Sequence, residues 1–123
     1  RRLIDNIMTT LRQLVEELNI GMFIVSHLKR PQQGKGHEDG KQVTLSDLRG
    51  SGSIAQLSDF VIGLERDQQS DGETNVRVLK ARYKGSSTGL AGSLYYDSST
   101  GRLRECGTGT TIRGDQDDTT EAF

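Results

Sequence analysis

The stretch Met22-Phe23-Ile24-Val25-Ser26-His27-Leu28-Lys29-Arg30-Pro31 is a short apolar run that leads directly into a basic loop. Four successive apolar residues without polar alternation predict a strand at 22–26 that is buried on both faces, as in parallel sheets. Ligands of open α/β sheets lie just beyond the carboxyl ends of such strands. His27 stands at that end, so it is a candidate functional residue, and a histidine that bonds only to backbone is the alternative.

The residues before this strand predict an amphipathic helix. Apolar side chains recur at helical spacing across residues 2–18, and Asn19 to Gly21 end the helix. Helix, tight turn and buried strand form half of a βαβ unit whose first strand is missing. We therefore expect this chain to be a piece of a longer protein.

The rest of the chain predicts one further helix and several strands after a polar loop at 29–42. The predicted helix spans about 53–58, and the predicted strands span 59–64, 76–83 and 90–96. This order predicts an α/β fold with a mostly parallel sheet that ends in antiparallel strands at one edge. At 123 residues, the chain is large enough for a single core.

Charge is distributed unevenly along the chain. Residues 114–123 contain four acidic side chains and no basic one, so residues 1–113 carry a net charge of +3 although the whole chain carries −1. We expect a basic domain at 1–104 followed by an acidic, disordered tail at 105–123. The two parts suit two different partners.

Composition excludes several other classes of protein. No run approaches the roughly 20 apolar residues of a membrane span, and no secretory signal is present. The single cysteine, Cys106, has no disulfide partner and no metal-ligand spacing around it, so no metal site is expected. One unpaired cysteine fits a reducing cytoplasm.

Two cations stand two residues apart in the predicted strand 76–83. Lys80 and Arg82 should share one face of the strand, where they could clamp a phosphate. An arginine that stabilises the charge developing during phosphoryl transfer acts as an arginine finger. A solvated strand face is the alternative.

Other groups favour anions and nucleic acid. Arg49-Gly50-Ser51-Gly52-Ser53 offers backbone N–H groups beside a guanidinium, but it is not a Walker A loop, because no Gly-Lys-Ser/Thr occurs in the chain. The basic residues of the 29–42 loop suit contact with a nucleic-acid backbone. Arg66 and Tyr96 could bracket a flat ring.

Together, five motifs occur in a specific order. They are His27-Leu28-Lys29, LRGSGSIAQLSD at 48–59, LERDQQ at 64–69, LKARY at 79–83, and Ala91-Gly92 with Tyr96. This order resembles the C-terminal half of the ring helicases of superfamily four, above all the helicase–primases of T-odd bacteriophages. The mitochondrial replicative helicase is a more distant relative. The resemblance covers residues 1 to about 104 and implies a RecA-like fold, the C-terminal part of a P-loop NTPase domain.

The resemblance implies roles at the nucleotide. His27 matches the histidine that senses the γ-phosphate, and Gln56 matches a glutamine between the nucleotide and DNA sites. Arg82 resembles the finger that enters the neighbouring subunit's active site, with Lys80 beside it. The pair that packs on the nucleotide base corresponds to Arg66 and Tyr96.

It also implies roles at the DNA. Lys29 and Lys35 fall on the loop that lines the central channel, and Arg49 and Gly50 match the next DNA-facing segment. Gln33 stands where the phage relatives have lysine, so we expect this loop to hold DNA somewhat less tightly.

For the whole protein, the resemblance implies a replicative ring helicase, a hexamer that couples hydrolysis of ATP or dTTP to translocation on single-stranded DNA. The P-loop and the Mg²⁺ ligands would lie outside this chain, so the chain alone should be inactive. A primase would lie upstream. The acidic tail ending in Phe123 would bind the replicative DNA polymerase, in the cytoplasm of a bacterial host if the protein is phage-encoded.

Two alternatives remain open from the sequence. One is a RecA-like protein that forms filaments on single-stranded DNA for binding or strand exchange. The other is a small binding module that takes no nucleotide. Closed rings rather than open filaments would favour the helicase.

Overall fold

A computed structural model describes residues 2–49, 52–69 and 72–106. The helices are α1 (Arg2–Leu18) and α2 (Ser53–Leu57), and the strands are β1 (Phe60–Arg66), β2 (Glu73–Ala81), β3 (Gly89–Asp97) and β4 (Arg102–Glu105). Short 3₁₀ turns lie at Leu45–Asp47 and Gly85–Ser87. Both predicted helices and three predicted strands are therefore confirmed, whereas β4 was not predicted.

The four strands form one sheet in the order β1-β2-β3-β4, and each neighbouring pair is antiparallel. The prediction of a mostly parallel sheet is therefore wrong for the described residues. The connections explain the difference, because each strand follows its neighbour through a short link, and short links join antiparallel strands. Bulges interrupt the register once in β1–β2 and once in β2–β3.

The segment 22–26 forms no strand in the structure, which corrects the prediction made from its apolar run. Its four apolar side chains are exposed, with Phe23 99% and Val25 97% accessible. A parallel strand needs partners for its N–H and C=O groups on both edges. Within the described residues, no strand pairs with this segment.

Helix α1 ends in a turn that its sequence explains. Asn19 adopts a left-handed conformation, with φ of 51°, which asparagine tolerates better than most residues. The Ile20 N–H then donates to the Val15 carbonyl at 3.3 Å, as in a Schellman cap. Neither described helix has the length and apolar character needed to cross a membrane.

The two faces of the sheet differ in what covers them. On one face, Val43 packs against Gly63 and is 1% exposed, and a Cβ on Gly63 would lie only 3.2 Å from Val43. On the other face, Ile62 and Leu64 are 58% and 63% exposed. The loop that precedes α2 is therefore packed on one side of the sheet only.

Candidate nucleotide and DNA interface

Lys80 and Arg82 reach the same place in the structure, the C-terminal end of α2. Lys80 Nζ donates to the carbonyls of Ala55 at 2.6 Å and of Gln56 at 3.1 Å. Arg82 Nη2 donates to the Gln56 carbonyl at 3.0 Å. The last carbonyls of a helix lack partners inside the helix, so they accept such bonds readily. Three residues predicted for the site therefore meet here.

Asp59 adds a carboxylate to this cluster. Arg82 Nη1 donates to Asp59 Oδ1 at 2.7 Å, and Arg12 Nη1 donates to Asp59 Oδ2 at 2.8 Å. The hydrogen bond from Arg12, opposed by partial burial and helped by the charge of both arginines, holds the pKa of Asp59 below its ordinary value. Asp59 is thus an anion shared by α1 and the end of β2.

A short antiparallel pairing joins the predicted γ-phosphate sensor to the predicted DNA-facing segment. The Arg49 N–H donates to the His27 carbonyl at 3.2 Å, and the Lys29 N–H donates to the Asp47 carbonyl at 2.7 Å. One β-bridge lies between these two bonds. His27, Lys29 and Arg49 are all exposed, so the pairing presents three candidate residues on neighbouring backbones.

The loop at 29–42 is attached at its far end to the turn after β1. The Gln68 N–H donates to the Glu38 carbonyl at 3.0 Å. Gly40 has a φ of +80°, and a Cβ there would lie 3.2 Å from the Asp67 side chain. Any larger residue at position 40 would therefore face both backbone strain and a close contact.

Glu65 anchors the end of this loop to the sheet. Its carboxylate accepts from the Val43 N–H at 2.6 Å, from Arg77 Nε at 2.9 Å and from Arg77 Nη2 at 3.2 Å. Glu65 is only 5% exposed, and its burial alone would raise its pKa. The bonds from Arg77 and Val43 outweigh that effect, so the pKa of Glu65 is lowered.

Lys35 lies on the rim of a polar cavity beneath the loop. The cavity has a volume of about 270 Å³, and its other lining residues are Asp39, Gly40, Glu65, Asp67, Glu73 and Asn75. The lysine is exposed, yet carboxylates line the space beside it.

Arg66 and Tyr96 lie on one face of the sheet near the same end. Arg66 pairs with Thr74, and Thr74 pairs with Leu94, which is two residues before Tyr96. Directly paired residues share a face, as do residues two apart on a strand. The two exposed side chains are thus two strands apart, roughly 10 Å across the sheet.

The family of this chain follows from its similarity to known protein families. A profile of the DnaB-like helicase C terminal domain matches residues 1–102. The chain belongs to this family. The resemblance to ring helicases of superfamily four is therefore confirmed, and the RecA-like fold holds at the level of the family.

Individual relatives agree with this assignment. The DNA helicase/primase of Enterobacteria phage T3 is 45% identical over 105 residues, which cover 84% of this chain and 18% of that protein. The replicative DNA helicase DnaB of Treponema pallidum is 32% identical over 80 residues, 65% of this chain and 16% of that protein. A probable plasmid replicative DNA helicase of Chlamydia trachomatis is 36% identical over 80 residues, with 65% and 17% covered. The chain thus spans less than a fifth of the length of these relatives.

Several residues of this DnaB-like domain that organise the site were not singled out from the sequence. Asp59 closes the LSD run at 57–59, but only the fold shows that it meets Arg12 from α1. Glu65 stands at the end of a strand, directly before Arg66 and Asp67, where an exposed carboxylate is the default expectation. The signal that the sequence offers is the spacing of two residues between Gly63 and Glu65. This spacing places both residues on the face of the sheet that Val43 covers.

Two predicted residues, Gly50 and Phe123, lie outside the described residues. For the implied Mg²⁺, the described part of the DnaB-like domain offers no group of three His, Cys, Asp or Glu side chains that could hold a metal ion.

Proposed function

We propose that this chain is part of the motor domain of a replicative ring DNA helicase, of the helicase–primase kind. The full-length protein would use ATP or dTTP with Mg²⁺ to move along single-stranded DNA and unwind duplex. Family membership and the helicase names of the relatives support this proposal. The observation that carries it is the arrangement around α2.

Helix α2 connects the two candidate sites over a short distance. It begins just after the predicted DNA-facing segment at Arg49, and its final carbonyls receive Lys80 and Arg82. Five helical residues span roughly 7.5 Å. A shift of α2 would therefore move the carbonyls that hold the two cations.

On the nucleotide side, Arg82 would stabilise the charge that develops on the transferred phosphoryl group of a neighbouring subunit. Lys80 would support it, and Arg66 with Tyr96 would pack on the base. Gln56 would lie between the nucleotide and the DNA. A finger supplied by a neighbour makes hydrolysis depend on the closed ring, for which we propose a hexamer.

On the DNA side, Lys29, Lys35, Arg49 and Gly50 would contact phosphates without reading sequence. His27 would sense the γ-phosphate and relay the nucleotide state, because its backbone is bonded to that of Arg49. A γ-phosphate contact at His27 would thereby alter the position of the DNA-facing segment.

Electron microscopy of the full-length protein with nucleotide and single-stranded DNA tests the proposal, together with a strand-displacement assay. Closed rings that unwind a forked duplex are expected. Open filaments that exchange strands without unwinding would contradict it and favour the filament-forming alternative.

Replacing His27 with alanine in the full-length protein should leave nucleotide binding nearly intact but remove the stimulation of hydrolysis by DNA. The physical reason is that the variant loses the proposed contact between γ-phosphate and DNA-facing backbone while every phosphate-binding cation remains. NTPase rates with and without single-stranded DNA measure this, and His27→Gln, which keeps a hydrogen-bonding side chain, serves as the comparison. Normal stimulation in His27→Ala would show that the histidine is only a strand-end residue.

We also propose that the acidic tail binds the replicative DNA polymerase in the cytoplasm of a bacterial host. Four carboxylates, the terminal carboxylate and one aromatic ring suit a basic, partly apolar groove. Residues 107–123 lie outside the described part of the chain, so this proposal rests on sequence alone.

Phe123→Ala should remove most of the polymerase binding while NTPase and unwinding stay unchanged. The ring would anchor the tail and the carboxylates would steer it, so higher salt should weaken the wild-type contact. Surface plasmon resonance with the polymerase measures both effects, and deletion of residues 114–123 sets the level of complete loss. Equal binding by Phe123→Ala at low salt would leave only the charge as the cause.

A further inference from the structure

Both terminal nitrogens of Arg82 are already bonded inside its own subunit. Nη1 donates to Asp59 Oδ1 at 2.7 Å, and Nη2 donates to the Gln56 carbonyl at 3.0 Å. The Arg82 N–H also donates to the Asp59 carbonyl at 2.8 Å. Arg82 is therefore held through its guanidinium and also through its backbone N–H. The residues that hold it are Asp59, just before β1, and Gln56, near the end of α2.

The carboxylate that holds Arg82 is itself fixed by a second arginine. Arg12 Nη1 donates to Asp59 Oδ2 at 2.8 Å, so each oxygen of Asp59 serves a different guanidinium. Arg12 is also bonded to Glu16 at 3.0 Å on the same helix. The Asp59 side chain is partly buried at 31% exposure, where such charge-assisted bonds restrict its rotation.

We propose that Asp59 is a positioning residue for Arg82: it sets the orientation from which the guanidinium reaches a nucleotide on the neighbouring subunit. This inference rests on the proposed function of Arg82 as a finger. A finger works through the placement of its terminal nitrogens, and a displacement of about 1 Å can cost 10²-fold in rate. The only carboxylate that contacts Arg82 among the described residues is Asp59.

Asp59→Asn in the full-length protein tests the proposal, because it keeps the size of the side chain and removes its charge. We expect kcat for DNA-stimulated NTP hydrolysis to fall by about 10- to 100-fold, with KM changed by less than about twofold. Glu16→Gln is the matched control: it makes the same chemical change next to Arg12 but does not touch Arg82. Its kcat should equal that of the wild type.

A double-mutant cycle distinguishes a role of Asp59 in positioning Arg82 from a role in holding α1 in place through Arg12. The pair Asp59→Asn with Arg82→Ala should be no slower than Arg82→Ala alone, since Asp59 would act only through Arg82. Losses that multiply would show that Asp59 acts independently and would overturn the inference. If Asp59→Asn does not fold, Asp59→Glu keeps the charge but shifts it by one methylene, and it should still lower kcat several-fold.

The outcomes distinguish this inference from the function on which it rests. Strong loss in Arg82→Ala with wild-type kcat in Asp59→Asn and Asp59→Glu would overturn the role of Asp59 and leave the finger intact. Wild-type kcat in Arg82→Ala would overturn the finger itself, and the role of Asp59 with it.

Discussion

Replacing Arg82 with alanine in the full-length protein should lower DNA-stimulated NTP hydrolysis by about 10³- to 10⁵-fold, the range for loss of an arginine finger. The change removes the positive charge proposed to meet the transferred phosphoryl group. Binding of nucleotide by the same subunit should change little, because the finger acts on the neighbour. Steady-state NTPase assays with single-stranded DNA measure the loss, and fluorescent-nucleotide titration measures binding.

Mixed rings reveal whether Arg82 acts across a subunit interface. Adding Arg82→Ala subunits to wild type should depress activity more than in proportion to their fraction, because the sites of the proposed ring act in sequence and one disabled site stalls the others. Arg102→Ala, an exposed arginine on β4, is the control and should leave the activity of mixed rings unchanged at every fraction. A linear decline with Arg82→Ala would show that each lost guanidinium costs a single site, and would contradict the poisoning of the other subunits.

Replacing Glu65 with alanine should lower the free energy of unfolding by about 3–5 kcal/mol, as expected when one partner of a buried ion pair is removed. The Arg77 guanidinium, 19% exposed, would lose its carboxylate, and the Val43 N–H would lose its acceptor. Urea denaturation followed by circular dichroism measures the change. The end of the 29–42 loop should also become less protected from hydrogen exchange.

An exposed ion pair provides the control for Glu65. Arg104 and Asp97 lie 3.5 Å apart with Arg104 65% exposed, so Arg104→Ala should cost less than about 1 kcal/mol. The pKa of Glu65 is lowered on folding, so its ionic contribution is complete above the ordinary value of 4.5 and is lost as pH falls further. Glu65→Ala should therefore lose less stability than wild type on acidification below that pH. Equal losses for Glu65→Ala and Arg104→Ala at neutral pH would contradict the anchoring role.

The elements that sequence predicts correctly are those whose pattern is local. Apolar spacing predicts α1, and the apolar run at 59–64 and the alternation at 76–83 predict the strands that the structure places at Phe60–Arg66 and Glu73–Ala81. The strand predicted at 22–26 does not form, because a buried strand depends on neighbouring strands and not on its local pattern alone. Its apolar run indicates burial between neighbours, but a pattern cannot supply the neighbours, and none pairs with it in the described chain.

Within the candidate site, the sequence predicts only those relations that depend on the spacing of residues in one element. Two residues apart on a strand, Lys80 and Arg82 were expected to act together, and both reach the end of α2. The partners of Arg82 could not be predicted that way, because Asp59 lies 23 residues earlier in the chain and Arg12 lies 47 residues before Asp59. Ion pairs between residues so far apart in the chain depend on tertiary packing, which the periodicity of the sequence does not describe.

The fastening of the 29–42 loop at both ends has an evolutionary consequence. Lys29 is bonded to Asp47 at one boundary, and Glu38 and Val43 are bonded to the β1 region at the other. The segment between these boundaries can change in length, because each doubling of a loop adds only about 0.6 kcal/mol to the entropic cost of closing it. Gln33 lies inside this segment. Under the proposed role of this loop in DNA binding, variants there would change the affinity for a polyanion while the surrounding framework stays the same.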